Sequence, residues 1–266
     1  MCACAAGKKA VLCEKPLDIR PETIDRMIAA YEGTGIPAAA VFQYRTYPGI
    51  RQAKAMLEAG ELGRILVANA RYQQYRSPAY YASAGWRGTW QWDGGGSTMN
   101  QGIHILDILC YLAGGAESVQ AQCRTQARAI EVEDVANALL TFGSGAVGTY
   151  QSTTLANPPV QILAEILCEK GRIAFDGEKT MLYTEEEPEG RELGAGQTAS
   201  AGDGKDPLSV GIAGHVFLLR NLAAALRGEE DVFIPFTEGK RTVEVICGMY
   251  ESSKNDGRRI TFADGR

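Results

Sequence analysis

Gly94-Gly95-Gly96-Ser97-Thr98-Met99-Asn100-Gln101-Gly102-Ile103-His104-Ile105-Leu106-Asp107, running on to Leu112, is the stretch around which the chain is organised. Three glycines break the backbone just before a helix-like run. Ile103, Leu106 and Cys110, with Ile105, Leu109 and Leu112, give that run a wide apolar surface. Asn100, His104 and Asp107 recur at i, i+4 and i+7, a spacing that predicts one polar stripe along the helix. A narrow polar stripe of this kind faces either a pocket or a buried hydrogen-bonded network.

Composition narrows the possible classes. A chain of 266 residues, 45% hydrophobic, can build one large domain or two modest ones. The formal charge of -5 and the absence of a long basic run argue against a nucleic-acid partner. No stretch reaches the roughly 18 to 20 apolar residues that span a membrane, and the first nine residues lack the pattern of a signal peptide. Seven cysteines are scattered without a CxxC pair, and the two histidines lie far apart. The expectation is therefore no metal site, with free thiols in a reducing, cytoplasmic setting.

Residues 10–13 read as a short strand and 36–42 as a second. Between them Pro21-Glu22-Thr23 opens a helix that places Ile24, Met27, Ile28 and Tyr31 on one side. Strand, helix, strand in about thirty residues is the unit of a parallel sheet. Cys2 to Ala6 reads as the tail of a helix. Pro48 opens another helix, ending at Gly60, and 65–75 is a longer strand. Residues 77–91 form an irregular aromatic loop; all three tryptophans, Trp86, Trp90 and Trp92, fall within seven residues. That loop is either a core plug or one wall of a ligand pocket.

Beyond the central helix, strands are expected at 118–126, 134–142, 146–154, 160–168, 172–175 and 180–183, joined by tight turns into an antiparallel meander. Residues 185–207 are acidic and Gly-rich and read as a solvated loop. Helices follow at 210–226 and 238–253, then a last short strand at 260–262. The fold class is thus α/β plus α+β: a fragment of a parallel sheet, then a mainly antiparallel sheet with packed helices. Gly143-Ser144-Gly145-Ala146-Val147-Gly148 matches G-x-G-x-x-G, but strand formers follow it, so it reads as a β-hairpin rather than a phosphate loop.

Lys15 lies just past the carboxyl end of the first strand, where ligands collect in open parallel sheets. The bland alternative is an exposed lysine on a turn. His104 titrates in the range useful for acid–base work; its bland alternative is a hydrogen-bonded core histidine.

Cys13-Glu14-Lys15-Pro16-Leu17 resembles the Glu-Lys-Pro signature of the Gfo/Idh/MocA oxidoreductases, and Gly94-Gly95-Gly96 with Gly102-x-His104-x-x-Asp107 resembles their second signature. Tyr44-Arg45-x-x-Pro48, Leu62-Gly63-x-Ile65 and Glu133-Asp134 fit the remainder, so the likeness covers nearly the whole chain. It implies an incomplete Rossmann-like dinucleotide-binding domain over 1–44 and an α+β substrate-binding and oligomerisation domain over 45–266, the terminal helix packing back on the first. It implies an NAD- or NADP-dependent dehydrogenase or reductase of a sugar, polyol or sugar derivative, forming a homo-oligomer through the antiparallel sheet.

In that picture Lys15 lies by the nicotinamide and the reacting hydroxyl, His104 relays the proton, and Asn100 stands with them in the catalytic group. Glu14, Lys15, Pro16 and Arg87 meet the cofactor, with Pro16 as a cis proline. Tyr81, Trp86, Asn100 and Asp107 line the substrate pocket, Asp107 acting as an orienter or only as a buried partner of the helix. Two departures stand out. Many members carry Asp where this chain has Asn100, which keeps hydrogen-bonding ability without charge. The family's N-terminal glycine-rich loop has no counterpart, so weak dinucleotide binding is expected. A non-enzymatic dimerising or sugar-sensing module, or an inactive truncation product, is the alternative.

Overall fold

Two parallel strands open the structure, a computed structural model describing residues 2–160, 162–195 and 212–262. β1 (Val11–Cys13) pairs with β2 (Ala38–Ala40) in the register Val11↔Ala38 to Cys13↔Ala40. A short helix α1 (Cys2–Ala6) precedes them, and α2 (Pro21–Tyr31) joins them, burying Ile24, Met27 and Tyr31. Proline at the first turn costs α2 nothing, because the N–H it lacks has no partner within the helix. A 3₁₀ turn over Gln43–Thr46 leads into α3 (Pro48–Glu58).

The second sheet has nine strands: β3 (Ile65–Gln73), β4 (Ala116–Arg124), β5 (Val135–Phe142), β6 (Val147–Thr153), β7 (Leu163–Cys168), β8 (Gly171–Phe175), β9 (Thr180–Tyr183), β10 (Arg191–Leu193) and β11 (Ile260–Thr261). Their order is β10-β9-β8-β7-β3-β6-β5-β4-β11. The expected meander is therefore interrupted. β3 inserts between β6 and β7, parallel to β6 and antiparallel to β7. Gly148 makes the insertion possible: a Cβ there would stand 1.6 Å from the Ala68 carbonyl oxygen.

The Gly143–Gly148 stretch is the tight turn between β5 and β6, with Gly145 at φ 83° and its N–H bonded to the Phe142 carbonyl. β10 lies inside the stretch expected as loop. The remainder of that expected loop, residues 196–207, and the first two residues of the helix expected at 210–226 lie outside the described residues.

Four further helices follow: α4 (Pro78–Ala82) in the aromatic loop, α5 (Ile103–Ala113), then α6 (Ala213–Leu226), which lies on the small sheet, and α7 (Phe236–Lys254) near the end. α5 is buried almost all round, as expected of a helix this apolar, and lies on β3 and β7. α7 packs on β4 and also on α2 and β2. One hydrophobic cluster runs from Ile24 and Met27 through Phe42 to Ile103 and Ile246.

The expected polar stripe divides. Asp107 does not face a pocket with Asn100 and His104. Both its oxygens are held by the Arg45 guanidinium at 2.8 Å, and Thr242 Oγ1 donates to Oδ1 at 2.8 Å. Arg45 also reaches Glu238 at 3.1 Å and lies 4.5 Å over the Tyr111 ring. His104 and Asp107 both lie on α5, where a three-residue step turns the side chain about 60° round the axis, so Asp107 meets Arg45 and Thr242 instead of the His104 side. Asp107 is thus buried and held between Arg45 and Thr242.

Because Arg45 and Asp107 are both buried, removing one leaves the other as an uncompensated charge. Arg45→Met should cost about 3–5 kcal/mol of stability, read by urea unfolding; a loss below about 1 kcal/mol would show that the pair is dispensable.

Candidate active site

Lys15 stands two residues past the end of β1, and the Lys15–Pro16 peptide is cis. Its Nζ donates to the main-chain carbonyl of Asn100 at 2.7 Å, tying the small sheet to the segment before α5. Burial lowers its pKa to about 8, against the opposing pull of the Glu14 and Asp93 carboxylates. His104 lies one turn beyond Asn100. Its ring sits 5.5 Å from Tyr44 and 6.1 Å from Phe42. Its Nδ1 is enclosed with no hydrogen-bond partner.

Burial first, then the positive charges of Lys15 and His215, hold the His104 pKa well below the usual imidazole range. At neutral pH it is uncharged and able to take a proton. Lys15, Asn100 and His104 each retain partial surface exposure, so solvent tempers the burial that drives both shifts.

Asn100 is held by a group that sequence reasoning did not name. Its amide nitrogen donates to Asp93 Oδ1 at 2.6 Å, while Asp93 Oδ2 takes the Gly88 N–H at 2.8 Å. That network assigns the amide orientation and leaves the Asn100 oxygen as an acceptor facing away from Asp93. Burial raises the Asp93 pKa, with those hydrogen bonds opposing.

The segment carrying these residues is pinned by Glu133. Its carboxylate accepts from Gly96 N at 2.9 Å, Thr98 N at 2.8 Å and Tyr250 Oη at 3.2 Å. A carboxylate here satisfies N–H groups at a helix start that have no helical partner. The glycines permit the approach: a Cβ at Gly95 would lie 2.0 Å from Tyr250 Oη, and one at Gly96 2.0 Å from the Glu133 carbonyl. Close packing, rather than phosphate binding, explains Gly95 and Gly96.

The other expected residues are placed as follows. Glu14 is exposed and pairs with His215 Nε2 at 2.9 Å, so both histidines of the chain approach this corner. Pro16 lies part-buried beside them. Tyr81 Oη bonds Thr154 Oγ1 at 2.8 Å. Trp86 is 43% exposed and Trp92 66%, so the tryptophans do not form a core plug. The Arg87 guanidinium stacks on Trp86 at 4.5 Å and on Tyr80 at 4.2 Å.

Sequence reasoning missed Asp93, Tyr44, Gln101 and His215. Tyr44 and Gln101 lie inside stretches already singled out and Asp93 directly precedes Gly94; His215 carried no such signal. Among the described residues no group of three His, Cys, Asp or Glu side chains is placed to hold a metal.

Residues 50–174 match the model of the GFO/IDH/MocA C-terminal domain. Across nearly its full length the chain resembles the WlbA dehydrogenase from Bordetella pertussis, solved with NADH and UDP-GlcNAcA. The identity is 31% and the TM-score 0.81, covering 99% of this chain and 75% of that one. The chain belongs to the Gfo/Idh/MocA family of oxidoreductases.

Levoglucosan dehydrogenase of Pseudarthrobacter phenanthrenivorans is 27% identical over 66% of this chain and 52% of its own length. Myo-inositol 2-dehydrogenase of Thermotoga maritima is 27% identical over 70% of this chain and 55% of its own. The matched region thus spans about half the length of these curated relatives.

The depressed pKa of Lys15 is measurable directly. Acetylation of Lys15 by a water-soluble anhydride, followed across pH by peptide mass spectrometry, should reach half its maximal rate near pH 8. Exposed lysines titrate near 10.4; a Lys15 profile matching theirs would show an ordinary, solvated amine.

Proposed function

We propose that the chain acts as an NAD(P)-dependent dehydrogenase or reductase of a sugar, polyol or sugar derivative, with Lys15 and His104 sharing one substrate oxygen. One observation carries the reading: an amine from the end of β1 and an uncharged imidazole on α5 come together at Asn100, close enough for the Lys15 charge to be felt at His104. Each is part-exposed, and no described side chain satisfies the imidazole. An oxygen placed between them would find a hydrogen-bond donor in Lys15 and an acceptor in His104.

The end of β1 fits the edge of a nicotinamide. Glu14, Lys15 and Pro16 are at least partly accessible there, and Lys15 supplies an amine beside the place where a ring would lie. When bound, NAD(P) supplies the hydride acceptor or donor. In the oxidative direction the substrate hydroxyl donates to neutral His104 while the Lys15 ammonium donates to the same oxygen. His104 then takes the proton as the oxygen becomes a carbonyl. In the reductive direction the same imidazole, protonated, returns it.

Asn100 offers its amide oxygen to a neighbouring hydroxyl, its nitrogen being held by Asp93. Having no charge, it orients rather than accepts the proton. Trp86 and Tyr81 offer aromatic surface on which a sugar ring stacks. Arg87, which donates to Tyr80 Oη through Nη1, turns its remaining donors toward an anion, and Asp107 stays behind α5, acting only through Arg45 and Thr242.

A homo-oligomer through the large sheet accompanies this reading. On the face away from α5 and α7, Leu139 is 61% and Val147 55% exposed. A shallow concavity of about 640 Å³ there is lined by Asn69, Arg71, Asn137, Leu139, Thr149 and Gln151 among others. Neither Lys15 nor His104 borders it. That face also favours the second reading, a pairing module without catalysis.

Fluorescence titration with NADH and NADPH separates the two. Micromolar binding supports the dehydrogenase; a stable dimer that binds neither supports the module. With a turned-over polyol, His104→Ala should lower kcat by about 10²- to 10⁴-fold while leaving the unfolding midpoint little changed. Polyol oxidation should also decline above about pH 8, as Lys15 loses the proton it donates. Wild-type turnover in the His104 variant, or a flat profile to pH 9.5, would remove the corresponding role.

A further inference from the structure

We infer that the substrate carries a carboxylate, received by Arg87 and Arg76 beside Tyr80. This rests on the dehydrogenase reading above and names the substrate more closely. The Arg87 guanidinium lies 4.2 Å and that of Arg76 5.4 Å from the Tyr80 ring. Tyr80 Oη accepts from Arg87 Nη1 and, at 2.7 Å, from Gln101 Nε2, while Gln101 Oε1 accepts from Arg76 Nη2 at 2.9 Å. Gln101 directly follows Asn100, so the pair stands next to the proposed reaction centre. Arg128 joins them, its Nε donating to the Arg76 carbonyl at 3.0 Å.

These cations lack acidic partners. Among the described residues no carboxylate lies within 4.0 Å of Arg76, Arg87 or Arg128, and the Nε atoms of Arg76 and Arg87 are enclosed without a hydrogen-bond acceptor. Both nearby acids are already engaged. Asp134 accepts three backbone N–H groups, from Gln126, Ala127 and Arg128, and Asp93 holds Asn100 and Gly88. Lys15, nearby, has the charges of Glu14 and Asp93 beside it, and Glu14 is itself paired with His215.

Uncompensated guanidinium groups at the rim of a site are costly unless an anion completes them. No hydrogen-bond partner for Arg87 Nη2 is found among the described residues. A planar fork of that kind suits a carboxylate. An aldonic or uronic acid would set its hydroxyl between Lys15 and His104 and its carboxylate on Arg87, the two lying a few bonds apart.

Isothermal titration of the full chain with D-glucuronate, D-glucose and D-glucose 6-phosphate at low ionic strength tests this, with an NADH titration run separately to read the dehydrogenase proposal by itself. Glucuronate should bind about tenfold or more tighter than glucose. Arg87→Gln and Arg76→Gln should each shrink that difference, and Arg87→Lys should keep part of it. Added salt should weaken glucuronate but not glucose, a wild-type measurement that decides even if the variants do not fold.

Equal affinities, a salt-independent preference, or undetectable glucuronate binding would each overturn the assignment, whether or not NADH binds. Tighter binding of glucose 6-phosphate than of glucuronate would overturn it in favour of a phosphate site. A preference for NADPH over NADH that disappears in Arg87→Gln would overturn it in favour of the cofactor.

Discussion

The site depends on how closely residues 94–96 approach Glu133 and Tyr250. Only glycine leaves room there, since a single added methyl at Gly95 or Gly96 would overlap an oxygen. In return the Glu133 carboxylate receives two main-chain N–H groups and a phenol in a buried setting, where such bonds are strong and their loss is expensive. The contact fixes where the π-helical segment begins. It thereby sets where Asn100 and His104 emerge relative to the end of β1. The last long helix takes part through Tyr250, so the C-terminal end of the chain helps define a site whose first residue is Lys15.

Charge is arranged around this frame with some economy. His104 is kept neutral by enclosure and by positive neighbours, while Lys15 is lowered by the same enclosure and partly restored by Glu14 and Asp93. The two shifts are coupled in sense: a cation beside an imidazole favours the imidazole's uncharged form. Asp93 occupies the middle of the arrangement. It holds Asn100 by hydrogen bonding and acts on Lys15 through its charge, without a direct ion pair between them among the described residues. The buried ion pair of Arg45 with Asp107 lies on the other side of α5, where it packs the helix against α7 through Thr242.

Much of the fold was legible because its signals are local. The helix at Pro21–Tyr31 and the strand at Thr180–Tyr183 lie where residue pattern places them, and Gly145 forms the turn that its sequence suggests. The placement of β3 was not legible. A strand's partners depend on which edges remain open once others have paired, and nothing within residues 65–73 encodes that β6 and β7 will separate to admit them. The aromatic loop was recognisable by composition, but its direction was not. Whether Trp86 lies in a core or at a surface depends on how the loop folds back on the rest of the chain, and here it is left 43% exposed under the Arg87 guanidinium.

The sequence by itself determined the residue types of the site and the two motifs that bear them: Glu14-Lys15-Pro16 after a strand, and Asn100 and His104 beyond three glycines. Motif spacing is a property of the chain and survives any folding. Tertiary structure alone decided which of those residues meet. It brought Lys15 onto the Asn100 carbonyl across 85 positions, supplied Asp93 as the hidden partner of Asn100, and turned Asp107 away to Arg45. The physical reason is that residues three apart on α5 already point about 60° apart, so His104 and Asp107 meet different neighbours, and that buried polar groups settle wherever a partner satisfies them, regardless of their distance along the chain.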